Sequence, residues 1–114
     1  MYTIYHNPRC SKSRQTLAIM NENNVEIKII NYITDPLTAE ELENISRKLA
    51  ISPMDFIRKK ELDFKKLGLN NYNGSDSKLC EIMSENPKLI ERPIVVKGDR
   101  AIIGRPPENV LELF

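Results

Sequence analysis

The order of strand-like and helix-like segments in the first 30 residues constrains the fold more than any other feature of the sequence. Residues 3–5 are β-prone and are stopped by Asn7-Pro8, and residues 15–20 continue a helix that has an apolar face. Asn23-Asn24 ends this helix, and residues 25–30 then alternate apolar and polar side chains at first, as a half-buried strand does. The chain is therefore expected to open with a β-α-β unit.

Helices are expected to fill the middle of the chain. Thr38 has the chemistry of an N-cap and Glu41 stands three residues later, so a capping box should start a helix that runs to about Leu49. Ser52-Pro53 is expected to open another helix that ends near Ile57. The remaining elements, in chain order, are a loop with short helical turns over residues 59–74, a helix over 77–84, a β-hairpin with strands 93–97 and 100–103 joined by a Gly98-Asp99 turn, and a last helix over 106–114.

This order of elements predicts an α/β fold. It gives a mixed four-stranded sheet flanked by helices, with a helical insertion, as in thioredoxin-like folds. With 114 residues, of which 40% are hydrophobic, the chain is long enough for one core and too short for two ordinary ones. Residues 1–114 are therefore expected to form a single domain.

Charge and composition give no support to several classes of function. Seventeen basic and sixteen acidic residues leave a net charge of +1, so no global field favours nucleic acid or a membrane, and a preference for anions has to be local. No signal peptide and no apolar run of about 18 residues is seen, which favours a cytoplasmic protein. With one histidine, two distant cysteines and four glycines that form no phosphate loop, the sequence predicts no disulfide framework, no metal site and no bound nucleotide.

Cys10 stands where the first strand should pass into the first helix, which is where a cysteine becomes reactive. Backbone N–H groups at a helix N-terminus have no partner within the helix, and the helix dipole adds positive charge, so both favour a thiolate. The positive charges of Lys12 and Arg14 in the first turn are unfavourable beside the positive end of the helix dipole unless an anion compensates them. A thiolate with a bound oxyanion would supply the negative charge. The alternative is that the basic side chains point into water and Cys10 fills a small space in the core.

Four segments together resemble the glutaredoxin-linked arsenate reductase family. They are residues 5–14 (YHNPRCSKSR), 57–59 (IRK), 89–96 (LIERPIVV) and 103–108 (IGRPPE), and the match runs the length of the chain. Within that family the chain is most similar to the short bacterial arsenate-reductase-like proteins. The resemblance implies a thioredoxin-like fold and an oxyanion substrate, arsenate.

The resemblance also assigns roles to individual residues. Cys10 corresponds to the nucleophile, and Arg58, Arg92 and Arg105 correspond to the arginines that bind the oxyanion. Guanidinium groups bind tetrahedral oxyanions through paired hydrogen bonds and keep their charge, so three of them beside one thiolate would hold substrate and favour ionisation. Supporting residues are expected at His6, Asn7, Ser11, Ser13, Arg14 and Pro93.

Several of these supporting residues carry a more specific expectation. His6 should either hydrogen-bond the loop or, when protonated, raise its positive potential. Ser11 and Ser13 are expected to cap the helix, and the alternative is that they donate a hydrogen bond to Cys10. The resemblance implies a cis peptide bond before Pro93, which an X–Pro bond permits. The second cysteine, Cys80, stands among apolar residues and is expected to be an inert part of the core.

The chemistry implied by the resemblance uses thiols and no bound cofactor. The Cys10 thiolate attacks arsenate, glutathione attacks the resulting thiol–arsenate adduct as the thiol co-substrate, arsenite leaves, and glutaredoxin restores Cys10 by thiol exchange. The third residue after Cys10 is Ser13, so the chain lacks the second cysteine of a Cys-x-x-Cys pair. An outside thiol is therefore needed.

Three other protein classes share part of this pattern. A low-molecular-weight phosphatase, or a related thioredoxin-linked reductase, would place an arginine six residues after the cysteine, where this chain has Thr16. A thioredoxin-like transcription regulator that binds RNA polymerase typically carries a redox pair, which Ser13 does not complete. A glutathione-dependent thiol oxidoreductase that acts on another substrate fits the same residues, and the sequence leaves it open.

Overall fold

A computed structural model of the protein describes residues 1–114. The strands are β1 (Tyr2–His6), β2 (Ile27–Asn31), β3 (Ile94–Lys97) and β4 (Arg100–Ile103). The α-helices are α1 (Ser11–Glu22), α2 (Ala39–Leu49), α3 (Leu62–Lys66) and α4 (Asp76–Glu85). Short 3-10 helices cover Pro53–Phe56, Leu69–Asn71, Pro87–Leu89 and Pro107–Leu113.

Residues 1–35 and 92–114 form one compact unit, which holds the whole sheet. The strands lie in the order β2-β1-β3-β4. β1 and β2 are parallel, with His6 opposite Asn31 at their carboxyl ends, whereas β3 is antiparallel to both β1 and β4. The β-α-β opening and the mixed four-stranded sheet are therefore confirmed, and this order of strands is that of a thioredoxin-like fold.

Helix α1 is fixed against the sheet by a small apolar cluster. Ile4 of β1, Met20 of α1 and Val95 of β3 are fully buried in it, and Val110 and Leu113 of the last 3-10 helix complete it. Burial of one such side chain contributes roughly 1.5–3 kcal/mol, so the cluster holds α1 firmly. The N-terminus of α1, which carries Cys10, is thereby held at a defined position relative to the strands.

The turn between β3 and β4 has the geometry that its residues predict. Gly98 has a φ of +60°, a region that favours glycine, and Lys97 pairs with Arg100 across the turn. A positive φ at the first central residue gives a two-residue turn whose twist matches that of the strands. The predicted hairpin is confirmed.

Residues 36–91 form a second compact unit, which contains α2, α3 and α4. The Glu41 N–H donates to the Thr38 side chain at 3.1 Å, and the Thr38 N–H donates to the Glu41 carboxylate at 3.0 Å. This is the predicted capping box, and α2 ends at Leu49 as expected. Across both units, none of the helices combines the length and apolar character that a membrane crossing requires.

The helix predicted to begin at Pro53 is a single 3-10 turn. After Pro53–Phe56 the chain becomes extended, because Ile57 forms a β-bridge with Ile90 and the Arg58 N–H donates to the Leu89 carbonyl at 2.6 Å. These partners lie far along the chain. Local sequence signals therefore give no warning that the helix stops after one turn.

The last predicted helix is also a 3-10 helix, over Pro107–Leu113. Its buried side chains are Pro107, Val110 and Leu113. They follow the three-residue repeat of a 3-10 helix, whereas an α-helix repeats every 3.6 residues. The tighter winding keeps all three on the side that packs into the core.

Candidate active site

Cys10 is the N-cap residue of α1, at the position that the sequence predicts. β1 ends at His6, and the Cys10 N–H then donates to the Asn7 carbonyl at 3.0 Å, which closes the turn between strand and helix. The Arg14 N–H donates to the Cys10 carbonyl at 3.0 Å and starts the helix. The thiol is partly exposed. It is therefore reachable and stands at a helix N-terminus.

No serine side chain caps α1, so the prediction that Ser11 and Ser13 do so is wrong. Ser11 is exposed, and Ser13 is directed to the preceding loop. Cys10 has extended backbone angles (φ −93°, ψ 122°), which turn its own side chain toward the first helical turn. The backbone N–H groups of Ser13 and Lys12 consequently interact with the Cys10 sulfur.

The pKa of Cys10 lies below its ordinary value although the thiol is partly buried. Burial raises the pKa, because it removes water from the charged form. The Ser13 backbone N–H, the Arg92 side chain and the Lys12 N–H act in the opposite direction, and together they outweigh burial. A lower pKa increases the fraction of thiolate at pH 7, which is the nucleophilic form.

Arg92 and Arg105, two of the predicted arginines, come together at Cys10. Arg105 Nη1 lies 3.9 Å from Cys10 Sγ and donates to the Arg92 carbonyl at 3.3 Å. Burial lowers the pKa of Arg92, but its interactions with Cys10 and Tyr32 outweigh this and raise the pKa, so Arg92 stays charged. Two cationic forks beside a thiolate suit the recognition of a tetrahedral oxyanion.

Gly104 sets the path of the segment that carries Arg105. A Cβ at position 104 would lie 2.8 Å from Pro93 Cγ and would collide with the Thr16 side chain. The Gly104 N–H donates to the Pro93 carbonyl at 2.9 Å. The Arg92–Pro93 peptide bond is cis, as the resemblance implies, and the Arg105–Pro106 bond is cis as well. Gly104 is not among the site residues predicted from the sequence, although it directly precedes an arginine in a matched segment.

His6 and Ser13 tie the Cys10 turn to α1. Ser13 Oγ lies 2.6 Å from His6 Nδ1 and accepts a hydrogen bond from the Asn7 N–H at 3.1 Å, and both side chains are buried. Burial lowers the pKa of His6, and the positive charge of Arg14 lowers it further. The imidazole is therefore neutral at pH 7. Of the two roles expected for His6, the structure favours the hydrogen bond over added positive charge.

Arg14 and Arg58 have partners other than the sulfur of Cys10. Arg14 Nη1 donates to the Pro8 carbonyl at 2.9 Å, so this side chain braces the turn from outside. Arg58 belongs to the second compact unit, where its Nε lies 3.3 Å from Glu61 Oε1. The part of Arg58 in oxyanion binding stays a prediction.

Tyr32 is a residue of this site that is not among those predicted from the sequence. It is 1% exposed and directly follows β2, at the carboxyl end of the parallel pair. Burial raises the pKa of Tyr32, and the nearby Arg92 and Asn7 side chains offset this only in part, so the pKa lies above its ordinary value. Sites commonly form at the carboxyl ends of parallel strands, and this was the signal available in the sequence.

The second cysteine has the opposite environment. Cys80 is fully buried in α4, as predicted. Burial, together with the negative charges of Glu43 and Asp76, raises its pKa to about 11. No group of three or more histidine, cysteine, aspartate or glutamate side chains is arranged to hold a metal ion.

Known proteins resemble this chain over nearly its whole length. The model of the ArsC family matches residues 5–113. The uncharacterized protein YfgD of Escherichia coli (strain K12) is 47% identical, over 96% of this chain and 93% of its own. A Haemophilus influenzae protein named arsenate reductase is 45% identical, over 97% of both chains. The solved structure of arsenate reductase from Vibrio cholerae has a TM-score of 0.95 and 43% identity, and covers 99% of this chain and 97% of its own. This chain belongs to the ArsC family.

Proposed function

We propose that the protein reduces arsenate to arsenite, with Cys10 as the nucleophile. The observation that carries the proposal is the thiol at the N-terminus of α1 with the Arg105 guanidinium 3.9 Å from its sulfur. The arsenate reductase names of the Haemophilus influenzae and Vibrio cholerae relatives support it. A low thiol pKa and cationic groups are what attack on an anionic arsenic centre requires.

In the first step the Cys10 thiolate bonds to arsenic, and one arsenate oxygen leaves as water after protonation. Arg92 and Arg105 hold the remaining oxygens and stabilise the negative charge that moves onto them. The family resemblance adds Arg58 as a third arginine of the oxyanion site. The product of this step is a thiol–arsenate adduct in which arsenic has not yet been reduced.

In the second step an outside thiol, for which we propose glutathione, bonds to the Cys10 sulfur. The electron pair of the sulfur–arsenic bond stays on arsenic, which is thereby reduced and leaves as arsenite. The two sulfur atoms are oxidised to a mixed disulfide. Ser13 stands where a Cys-x-x-Cys pair would have its second thiol, so this disulfide is passed to glutaredoxin by thiol exchange. We place the reaction in the cytoplasm, where thiols are kept reduced.

A coupled assay tests this function. NADPH oxidation through glutathione reductase, glutathione and glutaredoxin should depend on added arsenate, and the dependence should disappear in Cys10→Ser. Cys80→Ser is the matched control, because it removes a buried thiol with a pKa of about 11, and it should retain the rate. A wild-type rate that does not rise with arsenate would reject arsenate reduction and favour a thiol oxidoreductase with another substrate.

A further inference from the structure

Tyr32 brings a buried hydroxyl to the edge of the sheet from which the Cys10 turn begins. It follows Asn31, and Asn31 pairs with His6 at the carboxyl ends of β2 and β1. Asn7, which follows His6, opens the turn that leads to Cys10. The chain thus places the Tyr32 hydroxyl and the Cys10 thiol at one edge, on two neighbouring parallel strands.

The Tyr32 hydroxyl has no hydrogen-bond partner of normal geometry within the protein. The residue is 1% exposed, so its oxygen is buried. Burial raises the pKa of Tyr32, and the Arg92 and Asn7 side chains partly offset this by interacting with the phenol oxygen, but neither forms a hydrogen bond of full geometry with it. More than roughly nine tenths of buried polar groups are hydrogen-bonded, so an unpaired one calls for a physical reason.

The groups around the Tyr32 hydroxyl limit which acceptor its hydrogen can bond to. A guanidinium only donates, so Arg92 cannot accept the phenol hydrogen. Cys10 interacts with Tyr32 through its charge alone, since no hydrogen bond joins the phenol to the sulfur. The raised pKa of Tyr32 keeps its proton in place at neutral pH. The suitable acceptor is an oxygen atom of an anion that is bound at the Cys10 sulfur and reaches from it toward the phenol.

We propose that the Tyr32 hydroxyl donates a hydrogen bond to an oxygen of the oxyanion bound at Cys10. The inference rests on the proposed function, because it requires an oxyanion at that sulfur. It makes Tyr32 a substrate-contacting residue, in addition to Arg92 and Arg105. Unlike the arginines, Tyr32 is a neutral donor, so it contributes a directional hydrogen bond to binding and no positive charge.

Protection of Cys10 against iodoacetamide by arsenate tests this proposal without requiring turnover. Tyr32→Phe removes the hydroxyl and keeps the ring, so half-protection should need about 10- to 100-fold more arsenate than in the wild type, which is the loss expected for one hydrogen bond to a charged group. The alkylation rate without arsenate, and its pH profile, should not change. A shifted profile would mean that Tyr32 acts on the thiol itself and would overturn the proposal.

Tyr2→Phe is the matched control. The Tyr2 hydroxyl donates to the Leu113 carbonyl at 3.2 Å, at the other end of β1, so its loss should leave arsenate protection unchanged. The melting temperature separates a site role from a structural one. Tyr32→Phe loses no hydrogen bond within the protein and should melt at or above the wild-type temperature, whereas Tyr2→Phe should melt lower. Equal protection of Tyr32→Phe and the wild type would overturn the proposal, with or without a lower melting temperature.

A second measurement does not depend on the Tyr32 variant. In wild-type protein labelled with 3-fluorotyrosine, the fluorine signal of Tyr32 should shift when arsenate is added, while that of Tyr2 should not. Variants of the other three tyrosines assign the Tyr32 signal by elimination. An unmoved Tyr32 signal in a protein that arsenate protects would refute the contact. A wild type that arsenate does not protect would reject the oxyanion site, and with it both this inference and the proposed function.

Discussion

At the scale of single residues, the two thiols of this chain show how strongly position controls reactivity. Cys10 meets backbone N–H groups and the Arg92 side chain, which lower its pKa, whereas burial raises the pKa of Cys80 to about 11. At pH 7 a thiol with a pKa of about 11 is ionised to only about one part in ten thousand. The same functional group is therefore activated at one site and suppressed at the other.

We predict that iodoacetamide alkylates Cys10 at least about 100-fold faster than Cys80 in the folded protein at pH 7, because the alkylation rate follows the thiolate fraction. The midpoint of the Cys10 rate against pH should lie below that of an ordinary thiol. Competitive labelling read by mass spectrometry measures both quantities. Unfolding in urea should bring the two rates together, and similar rates before unfolding would show that Cys10 is not activated.

Replacement of Arg92 by lysine tests the oxyanion site rather than the thiol. Lysine keeps the charge but cannot supply the paired donors, so Arg92→Lys should lower kcat/KM for arsenate by roughly 30- to 1000-fold, or about 2–4 kcal/mol of transition-state stabilisation. Arg100→Lys is the control, because Arg100 Nη2 donates to the Glu112 carbonyl at 3.1 Å on the protein surface. If both variants lost little and equally while remaining folded, the assigned role of Arg92 would be wrong.

The residues that could be predicted from the sequence are those whose chemistry is local. Cys10 follows from its position between a strand and a helix, and the arginines follow from short matched segments. Tyr32 and Gly104 could not be found in this way. Tyr32 reaches the site through the pairing of β1 with β2, and Gly104 matters because of its contact with Thr16, which is distant in the chain.

At the scale of elements, predictions are correct where the stabilising contacts are local in sequence and wrong where they come from distant residues. The capping box of α2 depends on Thr38 and Glu41, which are three residues apart, and it was predicted in full. The 3-10 turn at Pro53–Phe56 depends on a β-bridge between Ile57 and Ile90, and an ordinary helix was expected there. Sequence reasoning succeeds where the stabilising partner is nearby and fails where it is supplied by the fold.

Gly104→Ala is predicted to disturb the site through the segment between β4 and the last 3-10 helix. The new methyl group would overlap the Thr16 side chain and Pro93, so the segment must move, at a cost of about 1–3 kcal/mol in unfolding free energy. Arg105 moves with it, and the arsenate-dependent rate should fall. Urea unfolding and the coupled assay measure the two effects.

Gly98→Ala is the control for that variant. Position 98 has nothing within 4 Å of an added Cβ, but its φ of +60° is unfavourable for alanine, so this variant should also lose stability. Its distance from Cys10 along the hairpin should leave the rate unchanged. If the two variants lost stability and activity in the same proportion, Gly104 would matter only for folding.

At the scale of the whole molecule, the chain forms two compact units of which the second is inserted between β2 and β3 of the first. The single domain predicted over residues 1–114 implies that the two units unfold cooperatively. A unit of residues 36–91 is near the size below which a hydrophobic core alone is marginal. The chain connects this unit to β2 at one end and to β3 at the other, so unfolding of the first unit would free both of its ends.

We therefore predict a single two-state unfolding transition in urea. Three of the four tyrosines, Tyr2, Tyr5 and Tyr32, lie in the first unit, so tyrosine fluorescence reports mainly on that unit. Pulsed alkylation of Cys80 in the Cys10→Ser background reports on the second, because Cys80 is fully buried until the core around it opens. The two midpoints should coincide, with the same dependence on urea, if the units unfold together. Exposure of Cys80 at a urea concentration at which the fluorescence is still native would mean that the inserted unit unfolds by itself, and the chain would then consist of two domains.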